Sequence, residues 1–485
     1  MEISTQILSL TRFSTLARYA DYVLKNAPLG FPHLLFLKNQ EKSYIRAKMI
    51  KLDYGKTGIS LQPRKDWNIK VLYPKKQSKL KDPVFSIKKA IKHPIGTEPL
   101  DTLIQKKNSI NDVCIVVSDS TRPVPSKIIL KGLVEELVDL GIDYSHITTL
   151  IATGLHRGSK NEDLYRIIGK DLKNKITIID HKAKNKDEMK FLKDIFPNIE
   201  IGVNKHFYDA DLKILTGYVE PHFFFGFSGG RKSIIPGIAY KDSILYNHSA
   251  ENIASKSSRF GIYEENPLHQ NATEIANVVG VDFVVNVCIN EKHELTKVLA
   301  GDLSEVHKNL VKYQKKFVFH ELNQKYDIII CGNGGFPLDL NLYQAVKSMA
   351  LGEMIVKEGG TIISVNELSE GVGEGQDEFR SLLFSGKKPK EIYNEILTRK
   401  ILLPDQWEIQ ILTRILMKSD IIVVSDLEEK ELGNIGLRYA KSVESAVEAS
   451  LEKYGNNASI LVLPHGPQII PMYTSNTSLV KMEKV

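Results

Sequence analysis

From Val113 onward the sequence repeats one unit: a short run of β-branched and aliphatic residues, a polar loop, then a helical stretch. VCIVVS (113–118), HITTLIATG (146–154), KITIID (175–180) and ADLKILTG (210–217) are the runs of the first half. DIIICG (327–332), GGTIISV (359–365), SDIIVVSD (419–426) and ASILVLPHG (458–466) continue the pattern in the second. Short apolar runs bounded by turn signals read as strands buried on both faces. Neighbouring parallel strands need a long crossover, usually a helix, and the intervening segments supply it. The alternation predicts an α/β fold of two lobes, each a mainly parallel sheet flanked by helices, with the active site in the interlobe cleft. Ser126 is placed to cap a helix over 126–140 that Gly141 ends, and a second helix is expected over 161–172. VDFVVNVCIN (281–290) and TKVLAGD (296–302) are strands that close the first lobe or bridge the two.

Before this repeat the sequence is different. Leu10, Phe13, Leu16, Ala17, Ala20, Val23 and Leu24 recur at helical spacing, so residues 1–48 read as a helical extension packed on the body or on a partner subunit. Residues 50–73 alternate short β-rich runs with turn signals, a small antiparallel opening. The expected division is therefore an extension (1–48), an N-terminal α/β lobe (49–280) and a C-terminal α/β lobe (281–485). A chain of 485 residues with 42% hydrophobic and 25% charged residues is long enough for several domains with large cores. Its net charge of +7 is concentrated in part in the lysines of 75–81, a solvated face rather than a nucleic-acid surface. Cys114, Cys288 and Cys331 sit in or beside strand-like runs, a reducing-compartment pattern with no disulfide framework. With no apolar run of roughly 18–20 residues and no signal core, a cytoplasmic protein without membrane contact is expected.

Residues able to do chemistry collect just after strand ends: Asp119 and Arg122, His156, His181, then Glu220 and His222. That is the edge where open α/β sheets bind ligands. The densest such stretch is Gly217–Asn252, with five glycines by Gly237, Lys232 behind Arg231, and His248 on an expected helix. GFSGGRKS (226–233) resembles a P-loop, but Arg231 replaces the glycine before the lysine. It still offers backbone N–H groups beside two cations for a phosphate or carboxylate, which keeps a phosphate- or nucleotide-handling enzyme open as an alternative. Arg231 is also the nearest cation to Lys232, and a like charge lowers a lysine pKa towards a nucleophilic amine. His156, His222 and His248 together can supply one metal ligand and two acid/base groups. Asp119 and Arg122, set by Pro123 and Pro125, form either a salt-bridged turn or an arginine oriented by Asp119 to take a carboxylate. After NGGFPLD, Tyr343 and Lys347 share one helical face, with Gln344 beside them.

SDSTRPVPS (118–126), ATGLHR (152–157), EPHFFFGFSGGRKSIIPG (220–237), NHS (247–249), NGGFPLDLNLYQAVKSM (333–349), PDQW (404–407) and VVSDL (423–427) closely resemble the nickel-pincer lactate racemase family. The resemblance runs from about residue 85 to 466. It implies a racemase or epimerase of a 2-hydroxy acid, lactate being the default. The implied cofactor is nickel in pyridinium-3,5-bisthiocarboxylic acid mononucleotide, joined to Lys232 as a thioamide and made by separate cofactor-building machinery. The same resemblance implies His248 as the nickel ligand and His156 and His222 as acid/bases. It puts Asp119, Thr121 and Arg122 at the cofactor, and Arg122, Tyr343, Gln344 and Lys347 at the substrate. Two departures stand out: Ser120 occupies a position where a histidine is common, and Phe225 replaces a small residue. A homologue that binds a hydroxy acid without turning it over is the non-enzymatic alternative. Oligomer formation is compatible with the sequence.

Overall fold

Two six-stranded sheets organise the protein, and their strand orders place the site. The computed structural model describes residues 49–107 and 109–474, of which 49 onward forms one compact unit. The helix expected within residues 1–48 lies outside the described residues. In the first sheet we number β1 (Val113–Ser118), β2 (Ile147–Ala152), β3 (Thr177–Asp180), β4 (Leu212–Tyr218), β5 (Phe283–Ile289) and β6 (Leu295–Gly301). Their order is β6-β5-β4-β1-β2-β3, all parallel except β6, which runs antiparallel to β5. The chain therefore builds outward from β1 through β2 to β3, then returns to lay β4 on the other side of β1. At such a switch point the loops leaving neighbouring strands part in opposite directions and open a crevice. The loops after β1 and β4 are the two richest in chemistry.

The second sheet repeats this logic. It holds β7 (Tyr326–Cys331), β8 (Val356–Val365), β9 (Asp420–Val424), β10 (Arg438–Ala440) and β11 (Ser459–Leu463), plus the early strand Asn68–Val71. The order is β10-β9-β8-β7-β11 and then the early strand, parallel throughout. Its switch point lies between β7 and β11. The expected break after residue 280 falls inside the first sheet, because β5 pairs with β4 from Phe283↔Ile214 to Val287↔Tyr218. All seven residues of β5 are buried, so the strand has both faces and both edges satisfied only within that sheet. The early strand likewise belongs to the second sheet rather than to the lobe that follows it. Before it, Ile50–Leu52 and Ile59–Leu61 form the expected antiparallel pair.

Local signals were largely obeyed, with two differences. The helix Ser126–Asp139 has Pro125 at its N-cap, and the Ser126 hydroxyl is buried without a partner, so Ser126 is not the cap. The expected helix 161–172 divides into Asn161–Ile167 and Lys170–Lys173 at Gly169, whose φ of +85° no continuing helix can take. Among the described residues no helix is long and apolar enough to cross a membrane.

Candidate active site

The two switch points face one cavity of about 160 Å³, lined by the loops after β1, β2 and β4 on one side and after β7 and β11 on the other. At the exit of β1, Asp119 is buried and accepts from His156 Nδ1 at 2.7 Å. Its other oxygen accepts from Thr121 Oγ1 at 2.8 Å, and Arg122 Nη1 donates to Thr121 Oγ1 at 3.0 Å. Asp119 thus orients His156, and Arg122 is held through Thr121 rather than by Asp119 directly. Burial opposes ionisation of Asp119, but His156, Arg122 and the Thr121 hydroxyl together keep its carboxyl below the usual range.

At the exit of β4 a tight two-residue pairing of Pro221–His222 with Gly226–Phe227 folds the three phenylalanines into a wall. Phe223, Phe224 and Phe225 are buried, with ring centroids 4.9, 4.7 and 6.2 Å from that of His222. The Phe225 N–H donates to His222 Nδ1 at 3.2 Å, so the neutral ring carries its proton on Nε2. Burial first, then the charges of Lys232, Lys347 and Arg122, hold the His222 pKa well below its ordinary value. Tyr218 donates a short hydrogen bond to Glu220, whose pKa burial raises.

Lys232 lies in the 3-10 turn Gly230–Ser233, its Nζ 4.7 Å from the Phe225 ring centroid and 5.7 Å from that of Phe224. Its pKa is pushed far down by burial, and next by the charges of Arg122 and Lys347. Arg231 plays no such part: its side chain turns away from the cavity to His269 and His307. The expectation that Arg231 tunes Lys232 is therefore corrected; adjacency in sequence placed the two side chains on opposite sides of the turn. A phosphate cradle is not formed either. The N–H groups of Ser228, Gly230 and Lys232 already bond Glu220 O, Asn286 Oδ1 and Gly229 O.

His248 is the C-cap of the helix Lys241–Asn247, its ring 4.8 Å from Trp407 and 5.1 Å from Phe224 between centroids. Its Nδ1 is buried with no hydrogen-bond partner, and burial, then Lys232, lower its pKa to about 3. His248 lines the cavity, and a neutral imidazole there is suited to a metal; its Nδ1 is enclosed by protein, so Nε2 is the nitrogen left to bind. No group of three His, Cys, Asp or Glu able to hold a metal occurs among the described residues, so a metal here would draw most donors from a bound group. An imidazole plus soft donors suits nickel, and the residues fit the implied cofactor.

The second lobe adds the helix Leu342–Glu353, whose N-cap Asn341 accepts from Gln344 N at 3.0 Å. Tyr343 OH donates to Asp405 at 2.9 Å and accepts from Trp407 Nε1 at 3.2 Å. Lys347 bonds Gln344 and lies 5.8 Å from the centroid of the Phe223 ring, across the cleft. Burial drives Lys347 and Glu408 towards their neutral forms, lysine down and carboxyl up. Of the ten residues that the resemblance assigns to the site, all but Thr121 line the cavity, and Thr121 bonds two that do. Glu408 and Asp405 were missed; the only signal was their place in and beside PDQW, at the start of the helix Gln406–Leu416. His181 does not reach the cavity. It is a buried structural group bonding Ala239 O and Asn204 at 2.9 and 3.1 Å.

A two-lobed α/β protein with two lysines, three histidines and an arginine lining one cleft has matching relatives. The family model for the lactate racemase N-terminal domain matches residues 54–261, and that for the lactate racemase C-terminal domain matches 322–470. A lactate racemase of Thermoanaerobacterium thermosaccharolyticum is 36% identical over 388 residues, 79% of this chain and 89% of that protein. One from Lactiplantibacillus plantarum is 37% identical over 392 residues, covering 79% and 90%. The solved lactate racemase apoprotein of T. thermosaccharolyticum superposes with a TM-score of 0.80 at 34% identity, over 87% of this chain and all of that one. A Thermotoga maritima protein at 17% identity and TM-score 0.63 shares the fold. The chain belongs to the lactate racemase family. It is an isomerase of the racemase class.

Proposed function

We propose that this chain inverts the 2-carbon of a 2-hydroxy acid, lactate by default, using a nickel-pincer pyridinium nucleotide held by Lys232 and His248. The observation that supports this most is that Lys232 and His248 share one cavity with two further histidines, Arg122 and Lys347. When bound, the group supplies reversible acceptance of a hydride at the 2-carbon, which avoids removing a poorly acidic C–H as a proton. Lys232 is suited to attachment because burial, then the charges of Arg122 and Lys347, favour its neutral, nucleophilic amine. Arg122 and Lys347, one from each lobe, would hold the substrate carboxylate while the rest of the molecule turns.

The histidines divide the proton work. His156 donates Nδ1–H to Asp119, which leaves the Nε2 lone pair free to take the hydroxyl proton. His222 has Nδ1 engaged by the Phe225 N–H, so its Nε2–H hydrogen-bonds the substrate oxygen on the other face. To pass a proton to that oxygen the ring must first take one up, since loss of its only N–H would leave an imidazolate. A planar 2-keto acid that turns its other face before reduction gives the opposite enantiomer. Aromatic residues Phe223, Phe224 and Trp407 keep water from that ketone. Protein produced with the cofactor-building machinery and incubated with a panel of 2-hydroxy acids should invert at least one of them by chiral chromatography. Inversion of none, with nickel bound, would sink the proposal.

A further inference from the structure

Behind the turn that carries Lys232 lies a buried cluster with an unusual composition. Arg231 is only 3% exposed and has no carboxylate within ion-pair distance among the described residues. Its Nη1 donates to His269 Nε2 at 2.9 Å and to His307 Nδ1 at 3.3 Å, while Nη2 reaches Ser304 Oγ at 3.4 Å. A guanidinium this buried, bonded by two imidazoles and a hydroxyl while its Nε has no partner, is a geometric device rather than an ion pair.

His307 occupies the centre of it. The residue is 1% exposed on the helix Leu303–Val318, and its Nε2 donates to Ser228 O at 3.1 Å. That bond fixes the tautomer: the proton is on Nε2, and Nδ1 accepts from Arg231. One ring therefore grips residue 228 on one side of the turn and residue 231 on the other. Between them Gly229 and Gly230 take φ of +79° and +55°, and a Cβ on Gly230 would lie 3.3 Å from His307 Cδ2. The glycines let the backbone lie flat against the ring. Asn286 closes the turn by accepting from Gly230 N at 2.8 Å. Burial, then Arg231 and His269, hold His307 far below its ordinary pKa, so both of its bonds persist at ordinary pH.

We infer that His307 is a positioning residue for Lys232: it staples the two ends of the turn so that the lysine can point only into the cleft. The inference rests on the reading of Lys232 as the cofactor's anchor, and its test does not require the cofactor. Apo full-length protein is acetylated with acetic anhydride across a pH series, and labelling at Lys232 is read by peptide mass. In the wild type the midpoint should lie well below that of exposed lysines. His307→Ala should move it up by about one pH unit or more, as the amine leaves its buried place beside Arg122 and Lys347. His307→Gln, which can still donate to Ser228 O, should recover part of the shift. An unchanged midpoint in folded His307→Ala, or an ordinary midpoint in the wild type, would overturn the inference. Should His307→Ala not fold, Arg231→Met makes the same comparison, with the same two outcomes. Chains made with the cofactor-building machinery give a second arm: His307→Ala should carry at least about tenfold less covalent adduct by intact mass. Wild-type loading in that variant also overturns the staple. A wild type without adduct would count against the proposed function alone, because the acetylation profile still decides the role of His307.

Discussion

His156 and His222 line the same cavity and are the same side chain, yet the protein surrounds them in opposite ways. His156 leaves β2 on a polar loop, keeps 23% of its side chain exposed, and leans on a carboxylate. His222 leaves β4 into a wall of phenylalanines and faces Lys232, Lys347 and Arg122 without a carboxylate bond. The first arrangement frees a nitrogen to accept a proton; the second offers the substrate oxygen an N–H. Environment, not residue type, separates the two roles.

The largest test of this contrast removes the setting both share. Lys232→Ala should abolish the covalent adduct in intact mass and with it all measurable inversion. A mutant that keeps the wild-type added mass would show the attachment point to be elsewhere. Next, His156→Ala and His222→Ala should each slow inversion by roughly 10²–10⁴-fold. The two should slow the two directions of reaction unequally in the first turnover, measured from each pure enantiomer. Equal effects in both directions would erase the distinction drawn here. Asp119→Asn should act chiefly through His156, lowering kcat by roughly tenfold to a hundredfold, with a smaller effect on KM through Thr121 and Arg122.

The smallest effect is on stability. A His222 pKa held below its ordinary value means that the unfolded chain binds a proton the folded one refuses. Stability from this group is complete above about pH 6.5 and falls as the pH drops below it, by at most about 1.4 kcal/mol per pH unit. The lowered pKa of Asp119 works in a different window, its contribution being lost only as pH falls below the ordinary carboxylate range near 4. Urea unfolding of the apoprotein at pH 7.0, 6.0 and 5.0 should therefore show a smaller loss for His222→Gln than for the wild type. Asp119→Asn should leave that difference unchanged over the same range.

How far the sequence reveals this arrangement depends on the range of the interaction. Strand periodicity placed β1 to β4 and β7 to β9 closely, because burial on both faces leaves a continuous apolar run. The chemistry at strand ends was visible for the same reason, since β1 and β4 deliver Asp119 and His222 to one edge. Partnerships set by tertiary packing were not visible. Nothing near β5 in sequence says that it lies beside β4 rather than in the second lobe. The side chain of Arg231 could be assigned only once His269 and His307, on two distant helices, were seen to receive it. Glu408 was hidden for a related reason: a lone glutamate on a helix looks solvated until Lys347 and Arg122 are found beside it.

The central claim is that the 2-carbon loses and regains a hydride, while His156 and His222 move only the hydroxyl proton. Incubating loaded enzyme with one enantiomer of lactate in D2O and reading the opposite enantiomer by proton NMR tests this directly. The account predicts that the product keeps its original protium at the 2-carbon through inversion. Incorporation of about one deuterium per inverted molecule would mean that the carbon is deprotonated to solvent, and would contradict it.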